Sequence, residues 1–382
     1  MTPPQRRNPA GSAGPVLAAL ALVLASAGAG TAGPRPWTAA SSDPRRLGWM
    51  EGAPPPADRI IGFGDPDAFG FPQLRWSVCH FQQLMPTRAV SRGLGPIRPL
   101  PRRERRDLDA VTFLPLGSRR PMTWRQSLEE NFTDGILVLH RGRVVFEHYS
   151  GCLRPDGRHG AMSMTKSLVG LLGEVLVAEG KLEEKRRVRS YIPELAASAF
   201  GDATVRQVLD MTTALDYSED YADPEADVWR HAAAGNALPK PEGYTGPRSY
   251  FEFLQTVRRR GEHGRSFGYR TVNTDVLGWL ISRATGRNLS EVMADRIWSR
   301  LGADLDAFFT VDSIGTPFAG GGLNASLRDM ARLGQLLLED GRVGDRRVIP
   351  AAAIAAIRGG GDRQAFAAAG YGQLPGWSYR SM

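Results

Sequence analysis

Ala161-Met162-Ser163-Met164-Thr165-Lys166-Ser167-Leu168-Val169-Gly170 sets a hydroxyl and an amine three residues apart at the mouth of an apolar run. On a helix, residues i and i+3 share a face, so Lys166 can reach back over Ser163. The run continues through Leu171, Leu172, Val175, Leu176 and Val177, apolar on nearly every side, and stops at Gly180. That pattern predicts a buried helix from about Ser163 to Glu179 with a glycine just past its end. The N-terminus of such a helix offers unpaired N–H groups and the positive end of the dipole, which suit a developing oxyanion and disfavour a protonated lysine. Ser163 can also be read as a plain N-cap, because serine is a preferred capping residue.

Composition favours the chemical reading. Of 48 basic residues only Lys166, Lys181, Lys185 and Lys240 are lysines. Wherever a generic positive charge suffices, this chain uses arginine, whose guanidinium does not lose its proton in a protein, whereas a desolvated ammonium can. The formal net charge of +8 raises the question of nucleic acid. The arginines are scattered, however, with no aromatic-interleaved basic stripe or zinc-finger spacing, and runs such as Arg258-Arg259-Arg260 read as solvated faces. No nucleic-acid partner is expected.

With 382 residues, 42% of them hydrophobic, the chain is long enough for one large domain or two small ones. Residues 1–32 read as an export signal: Arg6-Arg7, the apolar run Val16 to Ala27, then small residues. That run is too short to span a bilayer, so no stable membrane insertion is expected. Residues 33–125 are rich in Pro, Gly and Arg and read as an irregular arm, with enough apolar residues (Phe69, Phe71, Leu74, Trp76, Phe81) to wrap the neighbouring domain. Residues 126–382 form that main domain. The two cysteines, Cys79 and Cys152, can pair in an oxidising compartment or stand as free buried thiols, and neither has metal-ligand spacing.

Within the domain, Gly135 to His140 and Val144 to Tyr149 flank Arg141-Gly142-Arg143 as a β-hairpin, which needs sheet partners from elsewhere. Helical patterns recur at Val205 to Met211, Thr274 to Thr285, Leu289 to Leu301, Leu327 to Glu339 and Ala351 to Arg358. Between them lies a polar, aromatic connection, Asp216 to Tyr250, long enough to be a functional surface.

A second motif partners the first: Phe267-Gly268-Tyr269-Arg270-Thr271-Val272-Asn273 puts a tyrosine in a glycine-flanked loop before a helix. Together with Ser163-Met164-Thr165-Lys166 it resembles the serine β-lactamase and penicillin-binding-protein superfamily. Within it the chain looks most similar to class C-like 6-aminohexanoate-dimer hydrolases and esterases, in part through Arg75-Trp76-Ser77-Val78-Cys79-His80-Phe81. The resemblance implies an α+β, β-lactamase/transpeptidase-like fold: an antiparallel sheet flanked by helices, plus an all-helical region. It implies Ser163 as acyl-forming nucleophile, Lys166 as its base and Tyr269 as the phenolic relay to the leaving group. Thr271 stands where Asn or Ser is usual. A tyrosine that closes over substrate is implied in the connection after the Ser163 helix, and Tyr217 and Tyr221 are equal candidates. Asn324, in Gly320-Gly321-Gly322-Leu323-Asn324, is a further substrate-binding candidate. The expected substrate is a small-molecule amide, ester or peptide, with no metal or organic cofactor.

Two observations stand against this reading. Gly264-Arg265-Ser266-Phe267-Gly268 spells the nucleophile elbow of another hydrolase class, but arginines rather than an apolar strand precede it and no histidine comes after it. The superfamily's third motif, Lys-Thr-Gly or His-x-Gly, has no counterpart after Tyr269. The domain is therefore expected to be incomplete at its C-terminus, lacking the strands that would flank the hairpin, with activity impaired. The alternative is an inactive family member that binds peptidoglycan or another ligand.

Overall fold

The computed structural model describes residues 37–382 apart from Phe63, Pro66 and Pro241, so the export signal expected over residues 1–32 lies outside the described residues. The main sheet has four antiparallel strands. β1 is Thr87–Val90; β2, Gly135–His140, and β3, Arg143–Tyr149, form the expected hairpin; β4 is His159–Gly160, β5 Ala307–Thr310 and β6 Leu323–Ala325. The sheet runs β1-β5-β6-β4, with Thr87 opposite Thr310, Leu323 opposite Phe309 and Asn324 opposite Gly160. β5 is wholly buried, and beside it the Leu323 carbonyl of β6 accepts the N–H of Ala161, two residues before Ser163, at 2.8 Å.

The helices that matter for the site are α1 (Met164–Ala178), α2 (Val205–Leu209), α3 (Asp227–Gly235), α4 (Tyr250–Thr256), α5 (Thr271–Thr285) and α6 (Leu289–Met293). Beyond them lie α7 (Leu327–Leu338) and α8 (Ala351–Gly359). α1 is buried along most of its length, as its all-round apolar sequence requires. It packs closely on α2 and α5 because Gly173 has no side chain: a Cβ there would meet Leu209 Cδ2 at 2.8 Å and Leu277 Cδ1 at 3.2 Å. α5 ends at Gly286, whose φ of +67° is the left-handed stop that glycine supplies. The core around these helices includes the fully buried Trp298, Phe200, Phe253 and Phe309.

The fold is thus α+β, with an antiparallel sheet and a helical region, as the sequence implies. Two features differ from the sequence reading: the build of the arm and that of the connection before Tyr250. The arm is more than irregular wrapping, for it supplies β1 as an edge strand of the main sheet and a small apolar cluster, Ile61, Phe69, Trp76, Phe81 and Leu84, seated on Phe308 of β5. The connection from Asp216 to Tyr250 contains α3. The hairpin pairs with itself rather than with the main sheet, and arm residues line its β3 edge: Val144 N–H donates to the Pro101 carbonyl, and the Arg103 and Arg105 N–H groups donate to Val144 and Val145, each at 2.8 Å.

Cys79 and Cys152 form a disulfide, which fastens the arm to the chain just after β3. No helix among the described residues is long and apolar enough to cross a membrane.

Candidate active site

Ser163 occupies the N-cap position of α1 with helical backbone angles, and its side chain makes no capping hydrogen bond. The hydroxyl is instead turned to Lys166, whose Nζ stands 3.0 Å from Ser163 Oγ. The residue before it, Met162, has φ +46°, a left-handed conformation that a long side chain adopts only when its surroundings impose it. This bend sets Ser163 at the lip of a cleft that Met162 also lines.

Lys166 is buried, 3% exposed, and has two further neighbours. Its Nζ donates to the carbonyl of Gly320 at 2.6 Å, and it lies 5.1 Å from the centre of the Tyr269 ring. Tyr269 itself is 39% exposed and, unlike Ser163 and Lys166, is not among the residues lining the cleft. Its loop is pinned from both sides: Gly268 N–H donates to Met211 at 2.8 Å, Phe267 N–H donates to Ala365 at 2.9 Å, and the Phe267 ring packs among Phe366, Tyr371 and Tyr379. Ser163 and the ring of Tyr269, 106 residues apart in the chain, thus both flank the Lys166 amine.

The two candidate tyrosines part company. Tyr221 lines the cleft, and its hydroxyl donates to Glu219 Oε1 at 2.8 Å. Burial, reinforced by the Glu219 charge, holds its phenol well above the ordinary range. Tyr217 is buried edge-on against Phe253, is not among the residues lining the cleft, and its hydroxyl has no partner among the described residues. Desolvation accounts for the raised pKa of Tyr217.

Thr271 opens α5, three residues earlier than the sequence pattern suggests, and lines the cleft. Its N–H donates to Glu219 Oε2 at 2.7 Å and its hydroxyl to Glu219 Oε1 at 2.5 Å. Glu219 therefore gathers Thr271 and Tyr221 onto one carboxylate, a role that sequence reasoning missed. Asn324, on β6, is buried in the cleft wall, with Nδ2 donating to the Gly322 carbonyl at 3.0 Å and Oδ1 unpartnered among the described residues. Ser266 of the rival motif lies in a turn, donates to Phe267 O at 3.2 Å and does not line the cleft.

The cleft encloses a cavity of about 110 Å³. Phe69, Phe81 and Met85 of the arm form one wall, and Val228, Tyr250 and Phe318 another. Among the described lining residues no carboxylate appears, and the only side chains able to carry positive charge are Lys166 and His231.

The family model described as Beta-lactamase matches residues 126–380. The chain belongs to the beta-lactamase family. It is 38% identical over 302 residues to the 6-aminohexanoate-dimer hydrolase of Paenarthrobacter ureafaciens, covering 78% of this chain and 74% of that protein. A solved structure of a Bacillus anthracis protein assigned as a 6-aminohexanoate-dimer hydrolase superposes with a TM-score of 0.75 at 28% identity, over 86% of this chain and 83% of the other. EstCE1, a hydrolase with promiscuous acyltransferase activity, shares the fold at a TM-score of 0.51 and 17% identity, over 67% of this chain and 79% of its own. The superfamily resemblance carried by Ser163-x-x-Lys166 and Tyr269 is thereby borne out, and the protein is a beta-lactamase-family hydrolase.

Proposed function

We propose that this member of the family cleaves a small amide or ester through an acyl-enzyme on Ser163. The observation that carries the reading is the Lys166 amine 3.0 Å from a Ser163 hydroxyl that caps nothing. As Oγ attacks the substrate carbonyl carbon, Lys166, as the base, takes the hydroxyl proton and the carbonyl oxygen gains the negative charge. Backbone N–H groups, that of Ser163 among them, hold this oxyanion. Collapse expels the amine or alcohol, which takes its proton through Tyr269. Water then attacks the ester on Ser163, one proton passing to the same base, and the acid product leaves with Ser163 restored. The reaction needs no metal or cofactor.

Phe69, Phe81, Val228 and Phe318 suit an uncharged acyl chain, and Asn324 Oδ1 is placed to accept an N–H from an amide substrate. Tyr221 and Thr271, tied by Glu219, form the rim that closes over it. The substrate name carried by the two relatives describes a molecule with an ammonium and a carboxylate at its ends, and the cleft wall supplies no carboxylate to meet the former. The Cys79–Cys152 disulfide and the Arg6-Arg7 leader together favour an exported, oxidising location.

A fluorophosphonate probe tests the assignment. Labelling that disappears in Ser163→Ala supports it, and labelling that survives this substitution removes Ser163 from the mechanism. A folded protein that no acylating probe labels, yet that binds ligand in the cleft, favours an inactive binding module.

A further inference from the structure

Behind the lysine lies a buried pair that the acyl-transfer steps do not use. Asp275, on the second turn of α5, is 4% exposed, and its Oδ1 accepts the N–H of Gly320 at 3.0 Å. The carbonyl of that same Gly320 holds Lys166 Nζ at 2.6 Å. The other oxygen, Asp275 Oδ2, stands 3.0 Å from His231 Nε2, at ion-pair distance but off the line of a hydrogen bond, and neither atom has a hydrogen-bond partner among the described residues. His231 is itself held in a cage of Tyr250, Phe253 and Phe318, with ring centres 5.1 to 5.8 Å apart.

We propose that Asp275 is a positioning residue that orients the Lys166 amine through Gly320. The inference rests on Lys166 acting as the base. A neutral amine has two N–H bonds and one lone pair, and a base is effective only when the lone pair faces the proton it takes. The Gly320 carbonyl claims one N–H and so turns the lone pair toward Ser163 Oγ. A glycine carbonyl holds that aim only if its own backbone is fixed, and Gly320 is fixed at its N–H by Asp275. It is also pressed on α5 so closely that a Cβ would meet Thr271 Cγ2 at 2.3 Å. Asp275 and Gly320 thereby lock the helix just after Tyr269 to the lysine that Tyr269 covers.

The test compares Asp275→Ala, which removes the acceptor, with Asp275→Asn, which keeps Oδ1. Fluorophosphonate labelling is resolved into its saturating rate and its half-saturating concentration, and Ser163→Ala serves as control throughout. The chain has four lysines, so ¹³Cε-lysine labelling gives a small set of signals in which Lys166 is assigned by Lys166→Arg. The saturating rate of Asp275→Ala is expected to fall by about 10²-fold, the order that a misplaced catalytic group costs. Its half-saturation should be unchanged and its Lys166 signal shifted, whereas Asp275→Asn retains the parental rate within about threefold and the parental signal. If Asp275→Ala does not fold, Asp275→Glu, which moves the oxygen off the Gly320 N–H but keeps the charge, is judged by the same criteria. A folded variant lacking the tether that labels at the parental rate, an unmoved Lys166 signal, or an Asn variant as slow as the Ala one overturns the inference. Labelling that persists in Ser163→Ala is a different failure, since it removes the nucleophile assignment on which the inference stands.

Discussion

Arg328 grips Glu147 with two guanidinium nitrogens, Nε 2.7 Å from Oε1 and Nη2 3.2 Å from Oε2. The same carboxylate accepts the Tyr149 hydroxyl at 2.6 Å and pairs with Arg102 of the arm. One buried side chain thus ties together the hairpin, α7 and the arm. Burial by itself raises the Glu147 pKa, but Arg328, Tyr149 and Arg102 outweigh it and hold the carboxyl below its ordinary range. A depressed folded-state pKa contributes stability that is present above the unfolded value and is lost as the pH falls through the folded one. Glu147→Gln is therefore expected to cost roughly 1–3 kcal/mol at neutral pH. The gap to the parent should close on acidification below the usual glutamate range, as thermal melts across pH will show. A gap that is the same at every pH refutes the ionic account.

Lys166→Arg replaces an amine that can give up its proton with a guanidinium that cannot. The variant is expected to fold and to lose hydrolysis by about 10³-fold or more, within the range that general bases contribute. Initial rates on a p-nitrophenyl ester, with circular dichroism for the fold, decide this. Substantial activity in a folded Lys166→Arg variant would exclude lysine as the base.

Tyr217 and Tyr221 should respond oppositely to loss of their hydroxyls. Tyr217→Phe removes a buried polar atom that has no partner among the described residues and is expected to leave turnover unchanged while stabilising the fold by about 1 kcal/mol. Tyr221→Phe breaks the link to Glu219 at the cleft rim and is expected to raise KM or lower kcat several-fold, with little change in Tm. Parallel kinetics and melts separate the two residues.

A cleft lining with no carboxylate among the described residues predicts a preference that a matched pair of substrates can read. The p-nitrophenyl esters of hexanoic and 6-aminohexanoic acid differ only by a terminal amine. Desolvating an ammonium without a counter-charge costs several kcal/mol. The neutral ester is therefore expected to show a kcat/KM about 10²-fold higher or more. Equal rates would mean that the charged end stays in solvent.

What could be read from sequence tracks the length scale of each signal. Ser163 and Lys166 lie within one helical turn, so local spacing marked them as candidates, and the family resemblance of its loop marked Tyr269. α1 announced itself by fifteen apolar-rich residues ending before a glycine. β1, Thr-Arg-Ala-Val, buries only Val90, and a four-residue edge strand with one inward residue has no period to detect. α3 was hidden because an alanine-rich nine-residue segment inside a polar connection has no capping side chain at its start. Glu219 and Asp275 act on partners 52 and 45 residues away, through a backbone N–H in each case. Nothing in the identity of a threonine or a glycine says which of its main-chain atoms a distant carboxylate will hold.

The Cys79–Cys152 bridge makes one wall of the reaction chamber a removable part that cannot be lost. Phe81 and Met85 come shortly after Cys79 in the chain, so a protease cut in the exposed stretch around Leu94 or Leu116 severs the backbone yet leaves the residues before it covalently linked to the rest. Such a nicked protein would run as one species without reductant and as two with it, and the wall that shapes the acyl site would survive damage until the thiols were set free.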